Sequence, residues 1–467
     1  MTEFVPPRPP LRPGQANFLQ LLRFGLRSGI GLFLTTSYQA RGVARHRIPT
    51  WPAFRLRNLF TVRAPELIRE VLVGRPRDFP KSALMDGMLR TLTGHSIFVS
   101  NGKAWERHRR LMDPAFESAR IKAVFPMMVG ALDACVGRIE AHLDGPRAAQ
   151  PIAIDVEMTH YAADVIFRTI FSEAMDGSSA RRFFRAFAVF QEIAYAHGML
   201  KLGRFPTYLL PDHWRAKWSA RIIRQILEAP IRRRMAAIAR GEPVPQDDIM
   251  ASLVAAGRSD AEGFSERELL DQIAMLFLAG HETSATAMAW SLYLLANCPH
   301  VQERAHAEAV EVLGEDRPSF KHMKRLGFVR DVFREAMRLY PPVAFVARDS
   351  SRPERMMQRD IEAGAVIFVS PWLMHRHEDF WDRPDAFDPA RFESEKGQEG
   401  LRCAYLPFSM GPRVCAGASF ALQEATLLLA ELVRRFRVLP APGHTPEPVA
   451  RLTLRSANGL PLVMQRR

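Results

Sequence analysis

Apolar residues recur at helical spacing along most of this chain. The three-to-four-residue period predicts helices over 155–172, 222–240, 265–297, 300–313, 328–340 and 417–436. Strand-like stretches are short and lie at 59–65, 365–371 and 451–464. The last stretch contains Asn458-Gly459, a strong turn signal, so we expect a hairpin there. The pattern therefore predicts a mainly α protein with a small β portion.

The longest predicted helix, 265–297, opens with the capping-box residues Ser265 and Glu268. At 1.5 Å per residue it would be roughly 50 Å long, enough to cross a domain. Its apolar middle is interrupted by "AGHETS" (279–284), where Gly280 lowers helix propensity by about 1 kcal/mol and Glu282 would need a partner or water. Thr283 can bond back to a carbonyl one turn earlier. Either Gly280 is a packing glycine beside a solvated face, or the helix widens around something small and polar.

The N-terminal region differs from the rest of the chain. Residues 5–14 are rich in proline and should be extended rather than helical. Residues 17–37 are apolar but are broken by Arg23 and Arg27, so they fall short of the roughly 20 apolar residues that a membrane-spanning helix needs. We therefore predict a proline-rich segment and an amphipathic helix over residues 1–40, no spanning membrane segment, and a single domain over 41–467.

Composition excludes several classes of protein. The net charge is +14, but the cations are scattered without a basic tail, which argues against nucleic acid as a partner. The four cysteines show no CxxC pairing, which argues against a disulfide framework or structural zinc and favours a reducing, cytoplasmic location. They are Cys135, Cys298, Cys403 and Cys415.

One cysteine stands in unusual surroundings, the stretch "FSMGPRVCAG" (408–417). Cys415 lies at the start of the helix predicted over 417–436, whose N-terminal N–H groups should stabilise a thiolate and lower the thiol pKa. No papain-like or caspase-like signature accompanies it. A metal-bound thiolate therefore fits better than a nucleophile, and a buried structural cysteine is the remaining alternative.

A second polar group stands in "FREAMRLYPP" (333–342), where Glu335 and Arg338 share one helical face. Such a pair usually lies on the surface and contributes a few tenths of a kcal/mol. Arg391, in "FDPARF" (387–392), could extend it to a triad, although spacing alone does not establish this.

These motifs together resemble the cytochrome P-450 family of haem-thiolate monooxygenases. Residues 408–417 match its F-x-x-G-x-R-x-C-x-G signature, and 105–109, 279–283, 335–338 and 387–392 resemble its W-x-x-x-R, A-G-x-E-T, E-x-x-R and F-x-P-x-R-F motifs. The resemblance covers roughly residues 40–465. Ala390 departs from it, because many members carry an acid there.

The resemblance implies the cytochrome P-450 fold, with the long helix over haem b and Cys415 as the iron ligand. The cofactor-binding residues that it implies are Trp105, Arg109, Ala279, Gly280, Arg348, Phe408, Gly411, Arg413, Cys415 and Gly417. Within this set, the tryptophan and the three arginines would hold the haem propionates. Thr283 and Glu282 would be catalytic, ordering water and delivering protons. Glu335, Arg338 and Arg391 would form a structural triad.

The implied activity is insertion of one atom of dioxygen into a hydrophobic small molecule, by hydroxylation or epoxidation. The implied substrate pocket is lined by Leu276, Phe277, Val343, Phe345, Val346 and Leu460. Electrons from NAD(P)H would arrive through a separate ferredoxin or flavodoxin-type donor, steered to a basic face with Lys103, Arg107 and Arg110. We expect a monomer.

Three other functions share part of this pattern. A haem-thiolate gas sensor or electron-transfer protein would use Cys415 but not the Glu282–Thr283 pair. A peroxygenase relative would be expected to lack that pair. A non-enzymatic basic binding protein is the most distant alternative. The spectrum of the reduced, carbon monoxide-bound protein separates these classes, because only a thiolate ligand shifts it strongly to the red.

We predict that Cys415→His abolishes this red-shifted spectrum and the oxygenase activity, because only sulfur supplies the electron donation that favours O–O cleavage. The measurement is the reduced carbon monoxide difference spectrum of the purified variant. A Cys415→His protein that kept the red-shifted band would show that another residue binds the iron.

Overall fold

The computed structural model describes residues 4–9, 28, 42–51, 55–259, 263–357 and 359–467. Within these residues the chain is mainly helical, as predicted. The helices are α1 (Pro65–Arg69), α2 (Ala83–Thr93), α3 (Gly102–Met112), α4 (Ser118–Leu143), α5 (Ile154–Phe171), α6 (Gly177–Leu202), α7 (Asp212–Ala239), α8 (Ile249–Ser259), α9 (Glu266–Asn297), α10 (Pro299–Leu313), α11 (Gly327–Leu339), α12 (Pro371–Met374), α13 (Glu395–Cys403) and α14 (Ala418–Arg435). None of these described helices is both long and apolar enough to cross a bilayer.

The strands are short and form four small sheets in the described part of the chain. They are β1 (Val43–Thr50), β2 (Arg55–Val62), β3 (Ile152–Ala153), β4 (Val346–Asp349), β5 (Glu354–Met356), β6 (Arg359–Ile361), β7 (Val366–Val369), β8 (Phe436–Pro440), β9 (Pro448–Ala450), β10 (Leu454–Ser456) and β11 (Pro461–Arg466). The largest sheet has the order β1-β2-β7-β4, with β2 and β7 parallel. A second has the order β3-β11-β8.

Five predicted helices, now α5, α9, α10, α11 and α14, begin and end within a residue or so of their predicted bounds. Helix α7 starts earlier than the prediction, at Asp212, because its first turns expose Trp214 and Trp218 and so break the apolar period. The helices α4 and α6 were not predicted, and Pro126 lies inside α4. The helical period of apolar residues therefore predicts the helices that carry an uninterrupted apolar stripe.

The N-terminal prediction is only partly within the described residues. Residues 4–9 form neither helix nor strand, and they pack on the domain: Tyr340 donates a hydrogen bond to the Pro7 carbonyl (2.7 Å), and the Phe387 N–H donates to the Phe4 carbonyl (3.1 Å). The predicted amphipathic helix over 17–37 lies outside the described residues, apart from Ser28.

The hairpin predicted around Asn458-Gly459 is wrong. A turn is present, with Gly459 at φ 78°, but β10 pairs with β9 whereas β11 pairs with β3 and β8. The reason is tertiary. Trp290 of α9 donates to the Leu454 carbonyl (2.9 Å), and the Leu454 N–H donates to the Pro342 carbonyl (2.9 Å). These bonds hold β10 against α9 and away from β11.

Helix α9 is the central element, and it is buried along most of its 32 residues. Its capping box is formed as predicted: the Glu268 N–H donates to the Ser265 hydroxyl (3.3 Å), and the Ser265 N–H donates to the Glu268 carboxylate (3.0 Å). It packs most extensively on α5 and also meets α11 and α14. Helix α9 therefore forms the centre on which these three helices pack.

The Glu335–Arg338 pair is fully buried rather than on the surface. Arg338 donates from Nε and Nη2 to the two Glu335 oxygens (2.7 and 2.8 Å), and Arg391 Nε donates to Glu335 Oε1 (2.8 Å). Burial by itself would raise the pKa of Glu335, but the two guanidinium groups outweigh it and hold that pKa below its usual value. The three side chains thus form one compensated charge network.

We predict that Arg338→Ala severely impairs folding, because it leaves Glu335 buried beside a single cation, a loss of about 3–5 kcal/mol. The measurement is the thermal unfolding midpoint together with haem content per milligram of soluble protein. The matched control is Arg334→Ala, which breaks a partly exposed pair with Asp331 on the same helix and should cost about 1 kcal/mol or less. Equal losses in the two variants would contradict the prediction.

Candidate active site

Backbone hydrogen bonds fold residues 408–417 into a tight loop. The Cys415 N–H donates to the Phe408 carbonyl and the Val414 N–H to the Gly411 carbonyl, both at 3.0 Å. Gly411 has φ 74°, and a Cβ there would lie 2.2 Å from the Leu72 carbonyl oxygen, so only glycine fits. Gly417 donates its N–H to the Cys415 thiol, and protein neighbours leave room for a side chain on it. The loop therefore presents one thiol, that of Cys415, with a backbone donor.

The expectation that helix α14 lowers the Cys415 pKa is wrong for the protein by itself. Cys415 retains solvent-accessible surface, yet it is surrounded by enough protein that burial raises its pKa. The Gly417 N–H and the charge of Arg109 act in the opposite direction without outweighing burial. A thiolate at this position consequently needs a further positive charge, which a bound iron ion would provide.

Four cations surround this loop: Lys81, Arg109, Arg348 and Arg413. Their mutual proximity is evident because the charges of the three arginines help to lower the pKa of Lys81, after burial. Arg109 donates to the Val414 carbonyl (2.7 Å) and pairs with Asp113 (2.6 Å). The Arg413 guanidinium lies over the Trp105 ring, 4.3 Å from its centroid. Lys81 had not been predicted, since no local motif marks it.

Three of these cations, Lys81, Arg348 and Arg413, have no carboxylate within salt-bridge distance among the described residues. Lys81 donates to the carbonyls of Ile97 and Phe98 (3.0 and 2.9 Å). Arg348 is only 6% exposed and donates to the Ala347 carbonyl (3.1 Å). Burial lowers the pKa of Arg348 to about 10 and that of Arg413 to about 10. Such a cluster requires anions, and the two propionates of a haem fit it.

On the other side of the site, α9 changes character at residues 278–280 and 283, which are half-buried where its neighbours are fully buried. Thr283 donates its hydroxyl hydrogen to the Ala279 carbonyl (2.6 Å), which leaves its oxygen lone pairs for water. A Cβ on Gly280 would lie 2.9 Å from Ile166 of α5. Gly280 therefore allows α9 to pack closely on α5.

Glu282, next to Thr283 on α9, faces the β9–β10 hairpin. Its Oε1 accepts a hydrogen bond from the Thr453 hydroxyl (2.7 Å) and forms an ion pair with Arg455. Arg455 in turn donates to Gln191 of α6 (2.7 Å). Burial alone would raise the pKa of Glu282, but the charge of Arg455 reverses this and holds that pKa below its usual value. Sequence analysis identified the acid but not its cationic partner.

A second buried acid, Glu424 of α14, escaped sequence analysis although it interrupts an apolar stretch. Its Oε1 has no hydrogen-bond partner, and burial raises its pKa to about 8, with Ser284 as its side-chain partner. Ser284 follows Thr283 directly on α9. A neutral carboxylic acid therefore lies close to the Thr283 turn.

The residues predicted to line the pocket differ in burial and in their contacts. Leu276 and Phe345 are buried, and Val343 and Val346 are half-buried. Phe277 packs in an aromatic cluster, with its ring centroid 4.8 Å from that of Phe183.

Leu460 lies beside the first residue of α5, and its carbonyl accepts a hydrogen bond from the Ile154 N–H (3.0 Å). The turn that approaches Glu282 is instead 451–453, closed by the Arg451 N–H to the Thr453 carbonyl (3.0 Å). The hairpin lies earlier in sequence than predicted, and the apolar residue of its turn is Leu452.

The basic face predicted for an electron donor also needs a correction. Arg107 is not a free surface cation: it pairs with Glu268 at the start of α9 (2.7 Å) and donates to the Gly263 carbonyl (2.7 Å). This bond to Arg107, above all, lowers the pKa of Glu268 to about 2. Lys103 and Arg110, on the same helix α3, are exposed.

Comparison with known proteins agrees with this geometry. Residues 50–461 match the model of the family described as Cytochrome P450, and the chain therefore belongs to that family, whose members carry a haem-thiolate cofactor. It is 30% identical over 391 residues to cyclooctatin synthase of Streptomyces melanosporofaciens, covering 84% of this chain and 83% of that protein.

Two further relatives extend the comparison. Cyclooctat-9-en-7-ol 5-monooxygenase of the same organism is 30% identical, over 82% of this chain and 80% of its own. 11-Oxo-beta-amyrin 30-oxidase of Glycyrrhiza uralensis is 30% identical, over 86% of this chain and 77% of its own. The protein is an oxidoreductase that incorporates oxygen, and such relatives support hydrophobic substrates.

We predict that Lys81→Met weakens haem retention without weakening the apoprotein. Burial, followed by the neighbouring arginines, lowers the pKa of Lys81 in the folded apoprotein, so a positive charge on Lys81 opposes folding there. Beside a propionate the same charge becomes favourable. A charged hydrogen bond of this kind should raise the affinity for haem roughly tenfold. Haem transfer to excess apomyoglobin should be about tenfold faster, with an unchanged or higher apoprotein unfolding midpoint. Lys103→Met, on the exposed face of α3, is the control and should alter neither quantity.

Proposed function

We propose that the Cys415 thiolate would hold the iron of haem b and that this chain is a monooxygenase acting on an apolar small molecule. The observation that supports the assignment is a set of three cations, without carboxylate partners among the described residues, around a loop that presents a single thiol. When bound, the haem supplies oxygen activation, which the thiolate promotes by electron donation. Phe408 and Gly411 shape the loop, and the Gly417 N–H tunes the sulfur.

The propionates are assigned to the cations on one side of this loop. Arg348 and Arg413 present guanidinium groups that can bind carboxylates, and Lys81 adds a third donor. Trp105 supports Arg413 through its ring face, and Arg109 connects α3 to the Cys415 loop. Binding two anions here would compensate cations that have no carboxylate partner in the described part of the chain, so haem binding and local folding would stabilise each other.

Thr283 is assigned the ordering of water beside the substrate. Its hydrogen is committed to the Ala279 carbonyl, so its oxygen acts as an acceptor towards the pocket. Ala279 and Gly280 keep this part of α9 narrow. Glu282 is assigned proton exchange with solvent: Arg455 holds it ionised, and the Arg455 side chain is 34% exposed. The two residues therefore act on different faces of one helical turn.

The substrate class follows from the apolar walls that the described residues provide. Leu276, Val343, Phe345 and Val346 offer hydrocarbon surface, and the 451–453 turn contributes Leu452. Such a lining selects apolar molecules, with few polar contacts to orient them. The printed names of two relatives specify cyclooctat-9-en-7-ol and 11-oxo-beta-amyrin as compounds acted on. Hydroxylation or epoxidation of a comparably hydrophobic compound is the proposed reaction.

Electrons are proposed to come from NAD(P)H through a separate ferredoxin or flavodoxin-type protein. Lys103 and Arg110 are exposed on α3, the helix that contacts the Cys415 loop through Arg109, and would attract an acidic donor. All four cysteines are free thiols, which supports a reducing, cytoplasmic location. The proposed form is a monomer.

We predict that Thr283→Ala leaves haem content and the carbon monoxide spectrum intact but diverts reducing equivalents into hydrogen peroxide, because the water in the pocket loses its acceptor. The measurement is product and peroxide formed per NAD(P)H consumed. Ser291→Ala is the matched control, since Ser291 makes the same bond to a carbonyl one turn earlier on α9, at a fully buried position. Unchanged coupling in Thr283→Ala would remove this residue from the mechanism.

A further inference from the structure

A cleft of about 520 Å³ lies between α2, the last turn of α6 and the middle of α7. Its lining side chains are all polar or charged: Asp86, Arg90, Thr91, Lys201, Lys217, Arg221, Arg224, Gln225 and Glu228. None of the residues assigned to the haem or to the apolar substrate is among them. A cleft of this size admits a small organic molecule, and a lining without apolar side chains selects a hydrophilic one. The cleft is therefore separate from the proposed active site.

Cations dominate this lining, because its two carboxylates are already compensated. Asp86 pairs with Arg90 one turn along α2. Glu228 pairs with Arg232, which lies one turn further along α7 and outside the cleft. The charge that remains for a ligand is therefore positive.

Three side chains carry this remaining charge, namely Lys201, Lys217 and Arg221. None of them has a carboxylate within salt-bridge distance in the part of the chain that the structure describes. Lys217 and Arg221 are four residues apart on α7 and so share one face of that helix, whereas Lys201 comes from α6. Cations from two helices thus converge on one concave space.

Neighbouring groups orient two of these cations before any ligand binds. A Cβ on Gly87 of α2 would lie 2.5 Å from Lys201 Cδ, so the lysine stem crosses α2 at a position without a side chain. The Lys201 ammonium group donates a long hydrogen bond to the Gly87 carbonyl (3.5 Å). The Lys217 ammonium group lies over the Trp214 ring, 4.7 Å from its centroid. Both charges are therefore held at the cleft.

Arg224 connects the cleft to the central helix. It pairs with Asp271 of α9 (2.7 Å) and donates to the Leu92 carbonyl near the end of α2 (2.9 Å). Asp271 also accepts a hydrogen bond from the His95 N–H, just after α2 (2.9 Å). Helices α2, α7 and α9 are therefore joined at this point, which holds the walls of the cleft together.

We propose that this cleft binds a small soluble molecule that carries a phosphate monoester or a diphosphate group. Lysine and arginine donate charge-assisted hydrogen bonds to phosphate oxygens, and the planar guanidinium of Arg221 can bind two of them at once. Thr91 and Gln225 supply uncharged donors in the same lining. A ligand with two or more negative charges would compensate Lys201, Lys217 and Arg221 together. This site is independent of the haem assignment.

A phosphate group can be presented by a free metabolite or by a lipid headgroup, and the cleft favours the free molecule. Headgroup phosphodiesters carry one negative charge each, whereas a phosphate monoester or a diphosphate brings about two or more into one concave space. A second copy of this chain fits less well, because a symmetric contact would place the three cations near their own copies. The expected ligand is therefore compact and multivalent.

The test is isothermal titration calorimetry of the full-length, haem-loaded protein with inorganic pyrophosphate at constant ionic strength. The haem-loaded form is used because Lys81, Arg348 and Arg413 would otherwise offer a second anion site. We expect saturable one-to-one binding, which Lys217→Gln/Arg221→Gln should weaken about tenfold or more, since charge-assisted hydrogen bonds are lost. Constant ionic strength separates this loss from general screening.

A second measurement is the thermal unfolding midpoint with and without pyrophosphate. A ligand that binds only the folded state raises this midpoint, so we expect a rise for the wild type and a smaller one for Lys217→Gln/Arg221→Gln. The matched control is Lys122→Gln/Lys321→Gln, which removes two exposed cations that do not line the cleft. It should bind pyrophosphate as the wild type does, and all variants should keep the carbon monoxide spectrum of folded protein.

Three outcomes would overturn the proposal. The first is an absence of saturable pyrophosphate binding. The second is equal affinity of Lys217→Gln/Arg221→Gln and the wild type, which would place the anion elsewhere on this basic protein. The third is retention by phosphatidylglycerol vesicles without binding of free pyrophosphate, which would assign the three cations to a lipid headgroup instead of a soluble molecule.

Discussion

The buried Glu335–Arg338–Arg391 network is the constraint on which the Cys415 loop depends. Besides Glu335, Arg338 donates to the carbonyls of His375 (2.8 Å), Pro384 (2.6 Å) and Ala386 (3.0 Å), so it fixes the irregular segment after α12. His375 Nε2 then accepts the Leu406 N–H (2.7 Å), two residues before Phe408. Burial, followed by the charge of Arg338, lowers the His375 pKa to about 3, so the ring stays neutral and can accept. A chain of satisfied polar groups thus connects α11 to the loop.

The site combines two opposite ways of treating buried charge. In the triad every charge is compensated by protein groups, which makes that region rigid and independent of any ligand. Around Cys415 the described residues provide no carboxylate for Lys81, Arg348 and Arg413, and burial raises the thiol pKa. The site therefore has three cations in need of anions on one side and needs a positive charge at the sulfur. A haem with two propionates and an iron ion would supply anions to the cations and a cation to the sulfur.

Helix α9 shows how one turn of helix can perform several tasks. Gly280 packs on Ile166, Glu282 turns to Arg455 and Thr453, and Thr283 remains accessible. Each residue is about 100° around the axis from the next, so neighbours in sequence meet different elements. The same divergence occurs in α7, where one face is core and the other carries exposed tryptophans beside a basic cleft. Residues that are adjacent in a sequence motif can therefore have separate roles in the structure.

The sequence by itself determined the helices with a clean apolar stripe, the capping box of α9 and the loop around Cys415, because these depend on local spacing and on one glycine at positive φ. It also identified Glu335, Arg338 and Arg391, although only packing decided that they are buried together. Tertiary structure alone decided the partner of β10, the Arg455–Glu282 pair, the engagement of Arg107 by Glu268 and the inclusion of Lys81 in the basic cluster. The last three join residues that are far apart in the chain, and β10 is held in place by bonds of Leu454 to the distant Trp290 and Pro342. Their pairing depends on which surfaces the folded core brings within hydrogen-bond distance, and no local pattern encodes that distance.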